Sequence, residues 1–169
     1  CAAVTDHIGY ASLFESMNVN GTRNVVEFSE AAGAALLHVS TVSVSGTQYR
    51  DDPARHGEFT EICFDIGQNY EDNEYVKSKF ISEKIVLKAI ENGLNARIFR
   101  VGVLTASLDG RFQYHPEKNA FANRLMTICD IGCVPLDMLG VRIEMTPVDS
   151  CAKAILLLSS VQTALPVFH

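Results

Sequence analysis

Asn73-Glu74-Tyr75-Val76-Lys77-Ser78-Lys79 opens a helical pattern that stops at Asn92-Gly93 and is followed by the strand Leu94-Asn95-Ala96-Arg97-Ile98-Phe99-Arg100-Val101-Gly102. Val76, Phe80, Ile81, Ile85, Leu87, Ala89 and Ile90 give the helix a broad apolar surface, and Asp72 or Asn73 is placed to cap its start. Helix, glycine, strand is the alternation of a parallel α/β sheet. In the first turns, Tyr75 and Lys79 stand four residues apart, which points both side chains the same way. A phenol has a reference pKa near ~10, but a cation held against it favours the phenolate and eases loss of the proton. The pair is therefore a candidate proton donor for a carbonyl oxygen. The spacing alone is a weak signal, because five tyrosines among six lysines in 169 residues give roughly 0.2 chance matches.

Upstream, Ala34-Ala35-Leu36-Leu37-His38-Val39-Ser40-Thr41 reads as a short apolar strand that ends in hydroxyls. A strand ending in Ser and Thr, followed after a loop by Tyr-x-x-x-Lys on a helix, resembles the extended branch of the short-chain dehydrogenase/reductase superfamily. The fold class this implies is α/β, a Rossmann-like doubly wound parallel sheet. It is N-terminally incomplete and carries a small C-terminal substrate-binding subdomain.

The composition fits that class. A chain of 169 residues that is 47% hydrophobic can close one core. Its net charge of -6 and lack of a basic patch argue against nucleic acid or an anionic membrane as partner. The longest apolar run, residues 154–158, is far short of the roughly 20 needed to span a bilayer. Cys1, Cys63, Cys129, Cys133 and Cys151 lack zinc-finger spacing, so no metal is expected and the thiols are read as buried or free in a cytoplasmic protein.

A dinucleotide fold opens with a strand, a glycine-rich turn and a helix whose N-terminus faces the pyrophosphate. No two of the eleven glycines here lie closer than eight residues. The expectation is that about the first half of the nucleotide-binding unit lies outside this sequence, and that this chain alone binds the cofactor weakly. Ala2 and Ala3 are small residues at a strand end, where either the cofactor approaches the backbone or the chain packs tightly.

Residues 10–32 read as one helix with an apolar stripe at Leu13, Met17, Val25, Val26 and Phe28. Asn18-Val19-Asn20-Gly21-Thr22 sits inside it, and the glycine alone costs up to about 1 kcal/mol. In extended short-chain reductases an Asn-Val-x-Gly-Thr pattern sets its Asn on a kink holding a water that leads to the catalytic lysine, and Asn18 matches it. An ordinary helix with a close-packed Gly21 is the alternative. Residues 47–72 carry Asp51, Asp52, Glu58, Glu61, Asp65, Glu71 and Asp72, read either as a solvated loop or as a lid over the substrate entrance.

Beyond the second strand, Arg100-Val101-Gly102-Val103-Leu104 and Asp109-Gly110-Arg111-Phe112-Gln113 resemble the thioester reductase domains that end nonribosomal peptide synthetases and occur in carboxylic acid reductases. One departure is Val103, where the family has Asn, so a side-chain contact in that loop is lost. Residues 119–131 are expected to form a helix and 134–145 a loop and short strand. Thr146-Pro147-Val148-Asp149 precedes another helix that Asp149 is expected to cap, and residues 164–169 a last strand.

The resemblance implies three segments. Residues 1–104 would form the C-terminal part of the dinucleotide unit, 105–145 a substrate-binding subdomain, and 146–169 the return to the core. It also implies roles. Thr41 and Tyr75 hold the thioester carbonyl oxygen and Tyr75 gives the proton. Lys79 lowers the phenol's pKa and bonds the nicotinamide ribose, and Asn18 anchors the relay water. Ala2, Ala3, Ser40, Tyr75, Lys79, Arg100, Val101, Gly102 and Val103 contact the cofactor, and Thr41, Phe112 and Gln113 the substrate. The implied cofactor is NADP(H), although the segment that selects NAD or NADP is absent. The implied partners are a phosphopantetheine-loaded carrier protein and the adenylation and condensation modules of one megasynthase. The rival readings are another extended reductase, such as a nucleotide-sugar epimerase or dehydratase, and an inactive fragment.

Overall fold

The structure is a computed structural model. It describes residues 3–5, 9–46, 49, 52, 57–140 and 144–169, without the side chains of Ala120 and Asp137. Ala2, Cys1 and Asp51 of the sequence reading lie outside the described residues. Contacts divide the chain into one unit of residues 1–101 and 159–169 and a second of residues 102–158.

The first unit is built on a parallel sheet in the order β1-β2-β5, with β1 at Leu36–Thr41, β2 at Ala96–Val101 and β5 at Val167–Phe168. The register runs from Leu36 opposite Ala96 to Thr41 opposite Val101, and Phe99 faces Phe168. Parallel neighbours need a long crossover, and α3, at Glu74–Glu91, supplies it between β1 and β2. Its start is fixed by the Asn73 side chain, which accepts from Val76 N–H at 3.1 Å. It ends at Asn92, and Gly93 takes a φ of +103° that a side chain would disfavour.

One sheet face forms the core. Leu36, Ala96, Ile98 and Val167 pack there with Val26, Val86 and Ala89. Each large apolar side chain so buried contributes roughly 1.5–3 kcal/mol. On the other face Phe99 stacks on Phe168 with ring centres 5.4 Å apart.

The helix expected over residues 10–32 is broken into α1 at Ala11–Phe14, a π-helical turn at Glu15–Asn20 and α2 at Gly21–Ala32. Of the expected apolar stripe, Val26 faces the core and the rest does not. Leu13, Met17, Val25 and Phe28 are exposed, whereas Phe14, Asn18, Val19, Val26 and Ser29 are buried. The cause is a one-residue rotation of the inward face. It is set by polar side chains with inward hydrogen bonds and by a π turn, which does not follow the period of 3.6.

In the second unit β3, at Leu104–Thr105, runs parallel to β4, at Thr146–Pro147. Helix α4, at Ala120–Ile131, is capped by Asn119 at one end and Gly132 at the other. Helix α5 spans Val148–Ser159. Asp149 lies within its first turn and accepts from Leu108 N–H at 3.1 Å, so it braces the 107–111 turn instead of capping. β4, which pairs with β3, and α5 up to Leu158 fall in the second unit, and residues 159–169 in the first.

Candidate active site

β1 ends at Thr41, whose Oγ1 accepts from Ser43 N–H at 3.2 Å as the chain turns into a 3-10 segment. The Asn73 cap sets the first turn of α3 so that Tyr75 meets this strand end, where the Thr41 side chain acts on the phenol. Burial pushes the phenol pKa up and the Thr41 hydroxyl works against that rise. An open depression of about 430 Å³ adjoins these two residues in sequence, lined by Val42, Ser43, Ser45, Asn69, Tyr70 and Val76 among others.

Lys79 follows one turn after Tyr75 and is 8% exposed. Its Nζ donates to Val39 O at 2.6 Å, and among the described residues it has no other hydrogen-bond partner. Two of the three ammonium N–H groups are thus left to hold something else. Burial lowers its pKa to about 8, with the Glu83 carboxylate acting in the opposite sense. The expected lowering of the phenol by Lys79 is absent: the ammonium is drawn to the strand carbonyl, and burial governs the phenol.

Asn18, the expected water anchor, is tied to its neighbours by several hydrogen bonds. Its Oδ1 accepts from Val4 N–H at 2.8 Å, and its Nδ2 donates to Val4 O at 3.0 Å and Ser78 Oγ at 2.9 Å. Its main-chain carbonyl accepts from Thr22 and Ser82 hydroxyls at 2.7 and 3.1 Å. Both side-chain N–H groups are used, and the side-chain Oδ1 takes one bond of the two it can accept. Asn18 is a brace that ties residue 4 to α3, and the π turn is what aims it. Ala3, beside Val4, is exposed.

Ser40 and Arg100 turn their side chains toward α3. Ser40 Oγ donates to Glu83 Oε2 at 2.8 Å, and Arg100 donates to Glu83 Oε1 from Nε at 2.9 Å and also from Nη2. Neither charged side chain is exposed. Arg100 also donates to Thr60 O at 3.0 Å and Cys63 O at 2.8 Å, meets His169 Nε2 at 2.9 Å and lies over the Phe59 ring. Arg100, expected at the cofactor, directs its side-chain donors to the 59–63 loop and Glu83. Glu83 was missed in the sequence, although it continues the Tyr75, Lys79 face at the next interval of four.

Val101 closes β2 opposite Thr41. In the second unit, Val103 N–H donates to Glu144 Oε2 at 2.6 Å, so the backbone donor expected for the nicotinamide already has a carboxylate. A Cβ on Gly102 would overlap that same carboxylate. Gln113 donates to His115 O at 2.6 Å, and Phe112 is partly exposed. Among the described residues no group of three or more His, Cys, Asp or Glu is arranged to hold a metal. No helix of the described residues is long and apolar enough to cross a membrane.

The family described as "Male sterility protein" matches residues 1–155. The chain is 33% identical over 169 residues to glycine betaine reductase ATRR of Emericella nidulans, covering 95% of this chain and 12% of that protein. Among solved structures it is similar to the thiolation-reductase di-domain of an archaeal non-ribosomal peptide synthetase, with a TM-score of 0.89, 34% identity, and 99% of this chain and 36% of that one covered. The Aureusimine biosynthetic cluster reductase domain gives a TM-score of 0.86 at 32% identity, with 99% and 44% covered. DesIV, a dTDP-glucose 4,6-dehydratase from Streptomyces venezuelae solved with NAD and TYD bound, gives 0.70 at 26% identity, with 100% and 49% covered. The chain spans between 10% and 16% of the length of the three curated relatives it matches.

Proposed function

The chain belongs to the male sterility protein family, and from that premise we propose that it carries the catalytic part of a reductase that releases a carrier-bound acyl or peptidyl thioester as an aldehyde. The observation that carries the reading is the Thr41 side chain set at the Tyr75 phenol, near enough to act on its proton, with a Lys79 ammonium that has used one of its three N–H groups one turn along the same helix face. Likeness to a thiolation-reductase di-domain and to a reductase domain supports the thioester substrate over a sugar nucleotide, for which the likeness is lower.

A thioester carbonyl accepts hydride poorly unless donors hold its oxygen as charge develops there and a proton is at hand. Thr41 and Tyr75 supply the two donors, and Tyr75 the proton. The donor set also fits a nicotinamide nucleotide: the two free N–H groups of Lys79 suit the vicinal hydroxyls of a ribose. NADPH, when bound, supplies the hydride. The resulting hemithioacetal loses the phosphopantetheine thiol and leaves the aldehyde, which a second round takes to the alcohol. Ser40, Glu83 and Arg100 hold the strand end that presents Thr41. The partner is a phosphopantetheine-loaded carrier domain, within a synthetase that also has adenylation and condensation modules.

The test is turnover by the full-length protein carrying this chain, supplied with NADPH and either an acyl-loaded carrier domain or a sugar nucleotide. Aldehyde release is expected only from the carrier, with Tyr75→Phe slowed by about 10²- to 10⁴-fold and Thr41→Val by a smaller factor. Sugar-nucleotide turnover without aldehyde release would overturn the thioester reading in favour of an epimerase or dehydratase.

A further inference from the structure

We propose that the depression beside Thr41 is the seat of the thioester's acyl chain, and that Gln68 is the positioning residue that sets its width. The proposal rests on the reductase reading of the Thr41–Tyr75–Lys79 site. A thioester whose carbonyl oxygen lies at Thr41 and Tyr75 leads its acyl chain away along the surface next to them. Ser43 marks that surface: its N–H donates to Thr41 Oγ1 at 3.2 Å, and it lines the depression of about 430 Å³. That volume falls in the range of about 300–1,000 Å³ usual for small-molecule pockets.

Two stretches of backbone make the walls. The first is the 3-10 segment Val42–Ser45 that follows β1, and the second is Asn69 and Tyr70, which lead to the Asn73 cap of α3. The walls meet at Gly46, where an added Cβ would stand 2.4 Å from Asn69 O. Gln68 holds them at that contact. It is 2% exposed, and its Nε2 donates to Val44 O at 3.1 Å in the first wall and to Phe64 O at 2.7 Å in the loop that carries the second. Its Oε1 accepts from Ile66 N–H at 2.9 Å. Both side-chain N–H groups are used. A buried amide bonded to two separate segments fixes the distance between them, because releasing either one leaves a polar group buried without a partner. Behind the second wall Tyr70 stacks on Phe80 with ring centres 3.9 Å apart, and Phe64 stacks on Phe80 at 4.5 Å.

The lining sets the class of ligand. Val42, Tyr70 and Val76 are its larger apolar members, and the serines and asparagines are uncharged. Among the described residues that line it, Asp72 carries the one charge, and its Oδ2 already accepts from Asn69 Nδ2 at 2.5 Å. No lining cation stands ready for a carboxylate or a phosphate, so the fit is to an uncharged acyl chain. Gln68 touches neither substrate nor cofactor and acts through where it puts Val44 and the chain at Asn69. Without its bonds the walls separate. A long acyl chain then loses packing contacts along them, whereas a chain too short to reach the walls loses none.

The experiment uses the full-length reductase carrying this chain, with NADPH and a carrier domain loaded with either an acetyl or an octanoyl group. The quantity read is the ratio of kcat/KM for octanoyl to that for acetyl. A partly unfolded or generally slowed enzyme lowers both values together and leaves the ratio alone, so the ratio separates a pocket effect from a merely structural one. Gln68→Leu keeps the bulk and removes all three side-chain bonds. The expected result is a ratio lower by about 10-fold, with a KM for NADPH within about twofold of the parent. A ratio that falls by no more than about twofold would overturn the assignment. If Gln68→Leu does not fold, Gly46→Ala is read in its place and by the same criterion, since its methyl group presses on Asn69 O and forces the same walls apart. Tyr75→Phe, measured beside these, separates the two ideas. Full turnover in Tyr75→Phe would sink the site reading itself, whereas loss there with an unchanged ratio in Gln68→Leu would sink only the acyl pocket.

Discussion

Lys79 Nζ donates to the carbonyl oxygen of Val39 at 2.6 Å, joining the middle of β1 to the second turn of α3 through a buried ammonium. Burial, opposed by Glu83, makes it a weaker base, with a pKa of about 8 against 10.5 for a free lysine. A lysine whose folded pKa lies below its unfolded value opposes folding while it is charged. Between about pH 8 and 10.5 the unfolded chain holds a proton the folded chain has released, so stability rises with pH across that window. The gain is at most about 3 kcal/mol. Urea unfolding of the chain and of Lys79→Met, compared at about pH 7.5, 8.5 and 9.5, should show the parent gaining on the variant. A flat difference would mean that the ammonium is better solvated than its burial implies.

His38 gives the complementary prediction on the acid side. Burial, with the Lys79 charge second, lowers its pKa from 6.5 to about 3. Below about pH 6.5 the unfolded chain takes up a proton that the folded chain refuses, so stability is lost as the pH falls toward 3. At about pH 4.5 that loss is on the order of 3 kcal/mol. His38→Gln should remove this part of the acid sensitivity, which a pH series of denaturation midpoints would reveal as a shallower fall below about pH 6. An unchanged slope would place the ring in contact with water.

Glu83 and Arg100 form an ion pair with neither side chain exposed, and the pair has further bonds to Ser40, Thr60, Cys63 and His169. Removing one partner leaves the other charge buried, which costs about 3–5 kcal/mol. Replacing both with apolar side chains of similar volume is far less harmful. The Glu83→Leu variant should therefore be strongly destabilised, and Glu83→Leu with Arg100→Met should recover much of the loss. A double variant as unstable as the sum of the two single ones would show that the guanidinium acts mainly through the 59–63 loop.

Much of this arrangement is legible in the sequence because it is local. The Tyr75 and Lys79 spacing, the Asn73 cap, the stop at Gly93 and the hydroxyl end of β1 all depend on residues within a few positions of each other. What could not be read depends on partners far apart. Arg100 looks available for a ligand until Glu83, Thr60, Cys63 and His169 are brought around it. The Leu13, Met17, Val25, Val26 and Phe28 stripe follows the usual helical period, but the π turn and the buried Asn18 rotate the inward face by one residue. The apolar stripe left Asn18 out of the inward face. The five hydrogen bonds of Asn18 to distant or helix-turn partners could not be foreseen from composition.

Gly102 shows how one such distant partner constrains the backbone. The Glu144 carboxylate accepts from Val103 N–H at 2.6 Å and lies where a Cβ on residue 102 would go. Gly102 has no positive φ, so a side chain there meets no backbone strain and the conflict is with Glu144 alone. Gly102→Ala should displace the carboxylate and break its bond to Val103, a charged hydrogen bond worth about 1.5–3 kcal/mol. Partial solvation of the freed groups would offset some of that. Glu144→Ala loses the same bond but leaves room for the methyl group, so Gly102→Ala made in that background should be close to neutral. Thermal melts of the four proteins test this coupling. If Gly102→Ala is as harmful without Glu144 as with it, the glycine is required by something other than the carboxylate.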